Sequence, residues 1–196
     1  MQKEEELLHL SSLSSLSEKQ VARFVDLVAD KDINVNCRRH SSTPILLLCR
    51  NNKSESLYPC LKSILARDDV DLKLLYHDSD NALMLLTRYC PLLNPLIDCI
   101  RLLVNRGLDI NQKNKNNKTA LFLLSQNTQI SKNLIDVARL LINENSDFKV
   151  VRETVEELRK RSLKSDAKIL SDVIDSYRPG QGRVNNEVSV FFCLLF

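Results

Sequence analysis

The residues of this chain most able to carry chemistry are its 3 histidines and 6 cysteines, and their spacing decides what that chemistry could be. His77 stands close to Asp78 and Asp80, a combination that could transfer protons or hold a metal ion. These three residues share one polar segment, and no fourth ligand follows at the spacing of a zinc site. We therefore expect His77, like His40, to lie on an exposed loop and to bind no metal.

The cysteines have neither the spacing of a metal site nor the setting of a thiol nucleophile. No two form a Cys-x-x-Cys pair, and none has a histidine in a recognisable catalytic motif. With only 3 glycines, the chain also has no glycine-rich loop for a phosphate or nucleotide. The pattern predicts a protein that is not an enzyme and uses no cofactor. Its cysteines are expected to be reduced thiols that pack as small hydrophobic residues.

The last cysteine belongs to a different pattern. Cys193-Leu194-Leu195-Phe196 fits the C-a-a-X signal for prenylation, with a final Phe that is typical of geranylgeranylation. The upstream cluster of basic residues that usually supports a single lipid is missing from the sequence. Two other interpretations stay open: the apolar end packs in the last groove as a strand, or the tail 178–196 is non-native or poorly ordered. We favour the last of these.

Composition and charge favour a globular helical protein. Hydrophobic residues make up 43% of the 196 residues, and 3 Gly and 5 Pro are few for an all-β fold. The net charge of +3 comes from 28 basic and 25 acidic side chains, too even a balance for nucleic-acid binding. No apolar run reaches the roughly 20 residues of a membrane span, and the charged start is unlike a signal peptide. We expect a cytoplasmic protein.

An internal repeat with a period of about 38 residues runs through several registers of the chain. Four leucines follow this interval, namely Leu27, Leu65, Leu103 and Leu141. Three short apolar helices, predicted over 43–50, 81–89 and 119–126, follow it as well, opening at Thr43, Asn81 and Thr119. Second helices are predicted near 57–66, 96–105 and 132–143, each followed by a long polar loop. One such unit cannot bury its own apolar face, so the units must stack.

The best-preserved unit resembles the ankyrin-repeat family. Residues 105–111 (NRGLDIN) and 114–121 (NKNNKTAL) are similar to that family's G-A-D-V-N and D-x-x-G-x-T-P-L pattern. Gly107 suits a left-handed helix terminus, and Asn117 stands where the family has a loop glycine. The resemblance covers residues 18–149 and implies an all-α, ankyrin-like helical repeat solenoid of stacked helix-loop-helix units with long polar loops.

The sequence also departs from the family pattern. Its period exceeds the family's value of about 33 residues, which places extra residues between the paired helices. Ser41 and Ser79 stand at the loop-glycine positions of the other two units. A different solenoid of helical hairpins is the alternative fold.

Four segments follow from this organisation. They are an N-terminal extension over 1–16, a half repeat plus about three units over 17–149, capping helices over 150–177, and the tail 178–196. Ser17 to Gln20 forms a predicted capping box at the first repeat helix. The basic run Arg159-Lys160-Arg161 is interpreted as a solvated cap face, with a nuclear import signal as the alternative.

The family resemblance implies a protein-binding function. Ankyrin-like stacks usually bind partners through loop tips and the exposed side of the first helix of each unit. By position, that surface comprises Arg39, His40, Ser42, Arg50 and Asn51; His77, Asp78, Asp80, Arg88 and Tyr89; and Lys115, Asn116, Lys118, Gln126 and Asn127. Arg88 and Tyr89 are of the types most frequent as interface anchors.

Because 5 of these residues are Arg or Lys and 2 are Asp, the expected partner presents an acidic or phosphorylated segment. The alternative is that these charges only keep the loops soluble. We predict a monomeric protein-interaction module, adaptor or inhibitor. The alternative function is a membrane-peripheral adaptor anchored by a lipid on Cys193.

Overall fold

The computed structural model describes residues 2–91, 94–127, 137–138, 140–142, 148–160, 167–168 and 171. All named elements in these segments are α-helices, and an isolated bridge between Arg39 and Ser42 is their one β-type pairing. The predicted all-α class is confirmed for this part of the chain. No helix within it is long and apolar enough to cross a membrane.

The described helices follow the predicted order from residue 18 onward. They are α1 (Gln2–Ser11), α2 (Glu18–Ala29), α3 (Pro44–Asn51), α4 (Leu57–Leu65), α5 (Ala82–Tyr89), α6 (Asn94–Asn105), α7 (Ala120–Gln126) and α8 (Phe148–Lys160). Helices α3, α5 and α7 coincide with the three short apolar segments, and α4 and α6 with the second helices that follow the first two. Most of the helix predicted near 132–143, and most of the predicted capping segment after residue 160, lies outside the described residues.

Side chains at the helix starts explain where several of these helices begin. The Ser17 side chain accepts a hydrogen bond from the Gln20 N–H, and the Gln20 side chain accepts one from the Ser17 N–H, which forms the predicted capping box. Asn81 and Thr119 cap α5 and α7 with one bond each, because their side chains accept from the N–H groups of Met84 and Phe122. Thr43 makes no cap hydrogen bond; Pro44 begins α3 instead, because its ring presets a helical φ.

Contacts arrange the helices in two series. In one, α1, α3, α5, α7 and α8 each contact the next; in the other, α2 contacts α4 and α4 contacts α6. The pairs α1–α2, α3–α4 and α5–α6 also contact each other. Leu7 and Leu10 of α1 belong to the common core, so α1 packs with the helices that follow it.

The polar loops between units share one construction. A side-chain oxygen accepts a hydrogen bond from the N–H two residues later in each loop: Asn34 from Asn36, Asp71 from Lys73, and Asp109 from Asn111. These Asx turns give the structural register of the three loops. Asn34, Asp71 and Asp109 are therefore equivalent, and so are Asn36, Lys73 and Asn111.

The first loop tip is one residue shorter than the others. Backbone hydrogen bonds close the second tip between Tyr76 and Asp80 and the third between Asn114 and Lys118, but the first between Arg39 and Ser42. Ser79 and Asn117 have positive φ values, 62° and 58°, at the positions expected from the family's glycine. In the first loop the positive φ, 57°, falls on His40 rather than Ser41, because the shorter turn moves the left-handed residue back by one.

Gly107 ends α6 as predicted. Its φ is +84°, its N–H donates to the Val104 carbonyl, and the Leu108 N–H donates to the Leu103 carbonyl. This pair of bonds is a Schellman motif, which turns the chain into the third loop.

The core thiols pack as small hydrophobic residues. Cys49, Cys60 and Cys99 are fully buried, as predicted, and none forms a disulfide. Burial raises the pKa of Cys60 to about 12, so its nucleophilic thiolate form is scarce near neutral pH.

Candidate functional site

A cleft of about 340 Å³ opens between the end of α1, the first loop tip, α3 and the second loop tip. We call it the Arg50 cleft. Its lining residues are Leu8, Ser12, Arg39, His40, Ser42, Leu47, Arg50, Asn51, Tyr76 and His77. Six of them belong to the surface predicted from sequence, namely Arg39, His40, Ser42, Arg50, Asn51 and His77. The structure thus brings the residues predicted from the first unit together with His77, which was predicted from the second unit.

Arg50 extends from the last turn of α3 and is held by two aromatic rings. Its guanidinium carbon lies 5.1 Å from the centre of the Tyr76 ring and 5.8 Å from that of Tyr89. Both distances are in the range of cation–π attraction. The Nε atom of Arg50 is buried and makes no hydrogen bond within the described residues. The side chain is therefore oriented by rings and retains an unused hydrogen-bond donor.

A comparison with Arg88 explains why Arg50 pairs with no carboxylate in the part of the chain that the structure describes. The two arginines are one repeat apart, at equivalent positions near the ends of α3 and α5. Arg88 lies 3.0 Å from a carboxylate oxygen of Asp80. The residue equivalent to Asp80 in the first unit is Ser42, which carries no charge. Among the described residues, no carboxylate pairs with Arg50.

The electrostatics of the cleft follow from this difference. Its lining includes two arginines and two histidines and no Asp or Glu. Arg39, like Arg50, forms no ion pair within the described residues, whereas most other arginines there are paired. Examples are Arg23 with Glu6 and Arg67 with Asp69, both at 2.6 Å. Among the described residues, the cleft is therefore lined by two arginines without a carboxylate partner.

Asp80 and Arg88, also predicted to contact a partner, contact each other instead. The Asp80 side chain is only 2% exposed, and its second carboxylate oxygen accepts a hydrogen bond from the Asn114 amide at 2.7 Å. Asp80 therefore links its own tip to α5 and to the third loop. Burial leaves it almost no surface for a partner.

The third predicted group serves largely to connect neighbouring units. Lys115 donates to the backbone carbonyls of Asp78 and His77, through its N–H and its ammonium group respectively. Lys118 lies 3.6 Å from the Phe122 ring centre and 3.5 Å from a Glu153 oxygen on α8.

The remaining predicted residues divide by exposure. Asn127 is buried and donates to the carbonyls of Thr87 and Cys90. Asp78, Asn116 and Gln126 are exposed, and Tyr89 is half-buried against Arg50 and Arg88. Cys193 lies outside the described residues.

Sequence reasoning missed four lining residues of the cleft: Leu8, Ser12, Leu47 and Tyr76. Leu8 and Ser12 fall in the segment assigned to an N-terminal extension, so no repeat position pointed to them. Tyr76 lay in a segment interpreted only as a polar loop. The sequence signal that could have identified Tyr76 is its position directly before His77. In the structure the two rings meet edge-on, with their centres 4.5 Å apart.

The His77, Asp78 and Asp80 combination does not converge on one point. The first two side chains are exposed, whereas Asp80 is buried against Arg88. Within the described residues, no three His, Cys, Asp or Glu side chains gather as potential metal ligands.

Comparison with known proteins leaves the geometry of the site as the guide to function. No protein-family model matches this chain. A search of curated proteins likewise finds no match.

Proposed function

We propose that this protein is an ankyrin-like interaction module that binds an acidic or phosphorylated segment of another protein in the Arg50 cleft. The observation that carries the proposal is the state of Arg50, a half-buried cation flanked by Tyr76 and Tyr89 with no carboxylate partner among the described residues. An adaptor or inhibitor of this kind acts by binding its partner, so it needs no catalytic residue.

Three features support the ankyrin-like part of the proposal. Successive first helices contact one another, as do successive second helices. A Schellman motif at Gly107 leads into a loop whose tip carries a left-handed residue at Asn117. An Asx turn followed by a left-handed tip residue recurs in all three loops at nearly constant spacing, which is what a stack of equivalent units requires.

The chemistry of the cleft favours an anion. A carboxylate or phosphate oxygen that meets a guanidinium forms charge-assisted hydrogen bonds, roughly twice as strong as neutral ones. Arg50 loses little side-chain freedom on binding because two rings already hold it. Arg39 at the rim adds a second positive charge, which chiefly speeds association and makes it sensitive to salt. Arg50 thus supplies most of the affinity for the partner's anionic group and orients that group. Arg39 attracts it from a distance.

Three variants of the full chain test the proposal. R39E/R50E reverses the charge of the cleft, whereas K19E/R152E makes the same change in net charge at exposed residues that do not line it. S42D places a carboxylate where the second unit has Asp80, and so supplies Arg50 with an internal partner. None of the substituted residues belongs to the hydrophobic core.

Tagged wild-type and variant chains are used to purify partners from cells. We expect a partner that is retained by wild type and K19E/R152E and lost with both R39E/R50E and S42D. Phosphatase treatment then separates a phosphorylated segment from an acidic one, because only the former is released. Equal recovery of every partner by wild type and R39E/R50E would overturn the assignment of the cleft.

A further inference from the structure

One side-chain amide bridges the first and second loops at their junction, next to the Arg67 guanidinium, which donates to the carbonyls of Val28, Asp30 and Ile33. The Asn36 amide nitrogen donates to the Asp69 carbonyl at 2.7 Å, and its oxygen accepts from the Asp71 N–H at 2.8 Å. A primary amide can do this because it carries a donor and an acceptor side by side. Asn36 therefore satisfies two backbone groups of the neighbouring loop at once.

The next junction lacks this bridge. Lys73 occupies the position equivalent to Asn36, as the matching Asx turns show. One repeat further along the chain, Gly107 and Asp109 take the places of Asp69 and Asp71. A lysine ammonium donates but cannot accept, so it cannot satisfy both groups. Neither the Gly107 carbonyl nor the Asp109 N–H makes a hydrogen bond within the described residues.

A cleft of about 720 Å³ lies at this unbridged junction. We call it the Lys73 cleft; one wall is residues 70–73, and the other is 105–109 together with Gln112. Val70 and Leu72 are half-buried here, so the cleft has an apolar side beside its polar backbone groups. Arg106 is already engaged by the Arg67 carbonyl and Asp68.

We propose that the Lys73 cleft binds an asparagine or glutamine side chain of a partner protein. The amide of the incoming residue donates to the Gly107 carbonyl and accepts from the Asp109 N–H, as Asn36 does one unit earlier. Its methylene groups pack on Val70 and Leu72. An aspartate or glutamate lacks the donor for Gly107 and meets the like charges of Asp71 and Asp109.

The test uses the ¹⁵N-labelled full chain and two small probes that differ in one group. N-acetyl-asparagine methylamide carries the primary amide, and N-acetyl-aspartate methylamide carries a carboxylate in its place. We expect the asparagine probe to shift the backbone amide resonance of Asp109 in a saturable manner, and the aspartate probe to leave it nearly unmoved.

Two substitutions at one position provide the matched control. K73A removes the lysine without supplying a bridge, so the response to the asparagine probe should persist. K73N supplies the internal amide that Asn36 supplies elsewhere, so the response should be lost. Three results would overturn the proposal. They are an Asp109 amide resonance that the asparagine probe does not shift, one that both probes shift equally, and one that the asparagine probe still shifts in K73N. These variants leave the Arg50 cleft untouched, so the two proposals succeed or fail separately.

Discussion

The carboxylate of Asp80 lies 3.0 Å from the guanidinium of Arg88, with the acid buried and the arginine 26% exposed. The same carboxylate accepts a hydrogen bond from Asn114, so one side chain joins a loop tip, a helix and the next loop. One unit earlier, Ser42 replaces the acid, and the equivalent Arg50 is left facing a cleft. A single difference in residue type between equivalent positions thus separates an arginine with a buried carboxylate partner from one that has no such partner among the described residues.

Removal of Asp80 should destabilise the protein strongly. D80A leaves Arg88 and Asn114 without their partner, and breaking a largely buried pair costs about 3 kcal/mol or more. The matched control is D78A, on the same tip but exposed, which should change the free energy of unfolding by less than about 0.5 kcal/mol. Urea denaturation measures both. Equal effects of the two substitutions would contradict a structural role for Asp80.

Exchanging the equivalent residues Asn36 and Lys73 should change the free energy of unfolding in opposite directions. N36K removes two hydrogen bonds and should lower the free energy of unfolding by about 1–3 kcal/mol. K73N adds the equivalent bridge and should raise it by about 1 kcal/mol. Thermal unfolding of both variants checks the sign. A lower stability of K73N would show that the two junctions are not equivalent.

Acid should weaken the contact between α1 and α2. Two hydrogen bonds from Arg23 to Glu6, at 2.8 and 2.6 Å, hold the pKa of this carboxyl below its ordinary value. Because the folded-state pKa is the lower one, the stabilisation is present above the unfolded value of about 4.3 and is lost as pH falls through the folded value.

The variant R23Q tests this pH dependence. It should be less stable than wild type at neutral pH, and the difference should shrink on acidification because the ion pair is then absent from both proteins. Urea midpoints measured from about pH 7 to about pH 3 follow the change. A constant difference across this range would mean that Arg23 acts through something other than the charge of Glu6.

Substitution of Gly107 should destabilise the protein only because its backbone is left-handed. With φ at +84° and no atom within 4 Å of an added Cβ, G107A costs stability by strain and not by a clash. The expected loss is about 1–2 kcal/mol. N105A, at the exposed end of α6, demands no left-handed backbone and should change stability little. Circular dichroism during thermal unfolding compares the two, and an unaffected G107A protein would argue against the Schellman ending.

Much of the helical framework was predictable because its signals are local. The evenly spaced leucines, the apolar segments opening at Thr43, Asn81 and Thr119, and the capping box at Ser17 can all be recognised along the chain. They located α2 to α7 closely. Thr43 is the N-cap residue of α3, as predicted, but Pro44 begins the helix without a side-chain cap hydrogen bond from Thr43 among the described residues.

The site was predictable only in part. Position in the repeat identified Arg39, Arg50 and His77 for the Arg50 cleft, since equivalent residues face equivalent directions in stacked units. It also selected Asp80, which is buried, and overlooked Leu8, which comes from a helix outside the recognised period. The exposure of a side chain depends on which residues pack against it, and the position of a residue in the repeat does not identify those neighbours.

The sequence by itself determined the all-helical class of the described chain, the period of its units and the residue types available at each position. Periodicity and capping are properties of short segments, so they can be recognised without coordinates. Only the tertiary structure decided that, among the described residues, Arg88 has a carboxylate partner and Arg50 has none, and that Asn36 bridges two loops where Lys73 does not bridge the next two. These differences depend on groups that are distant along the chain and meet only when the units pack together.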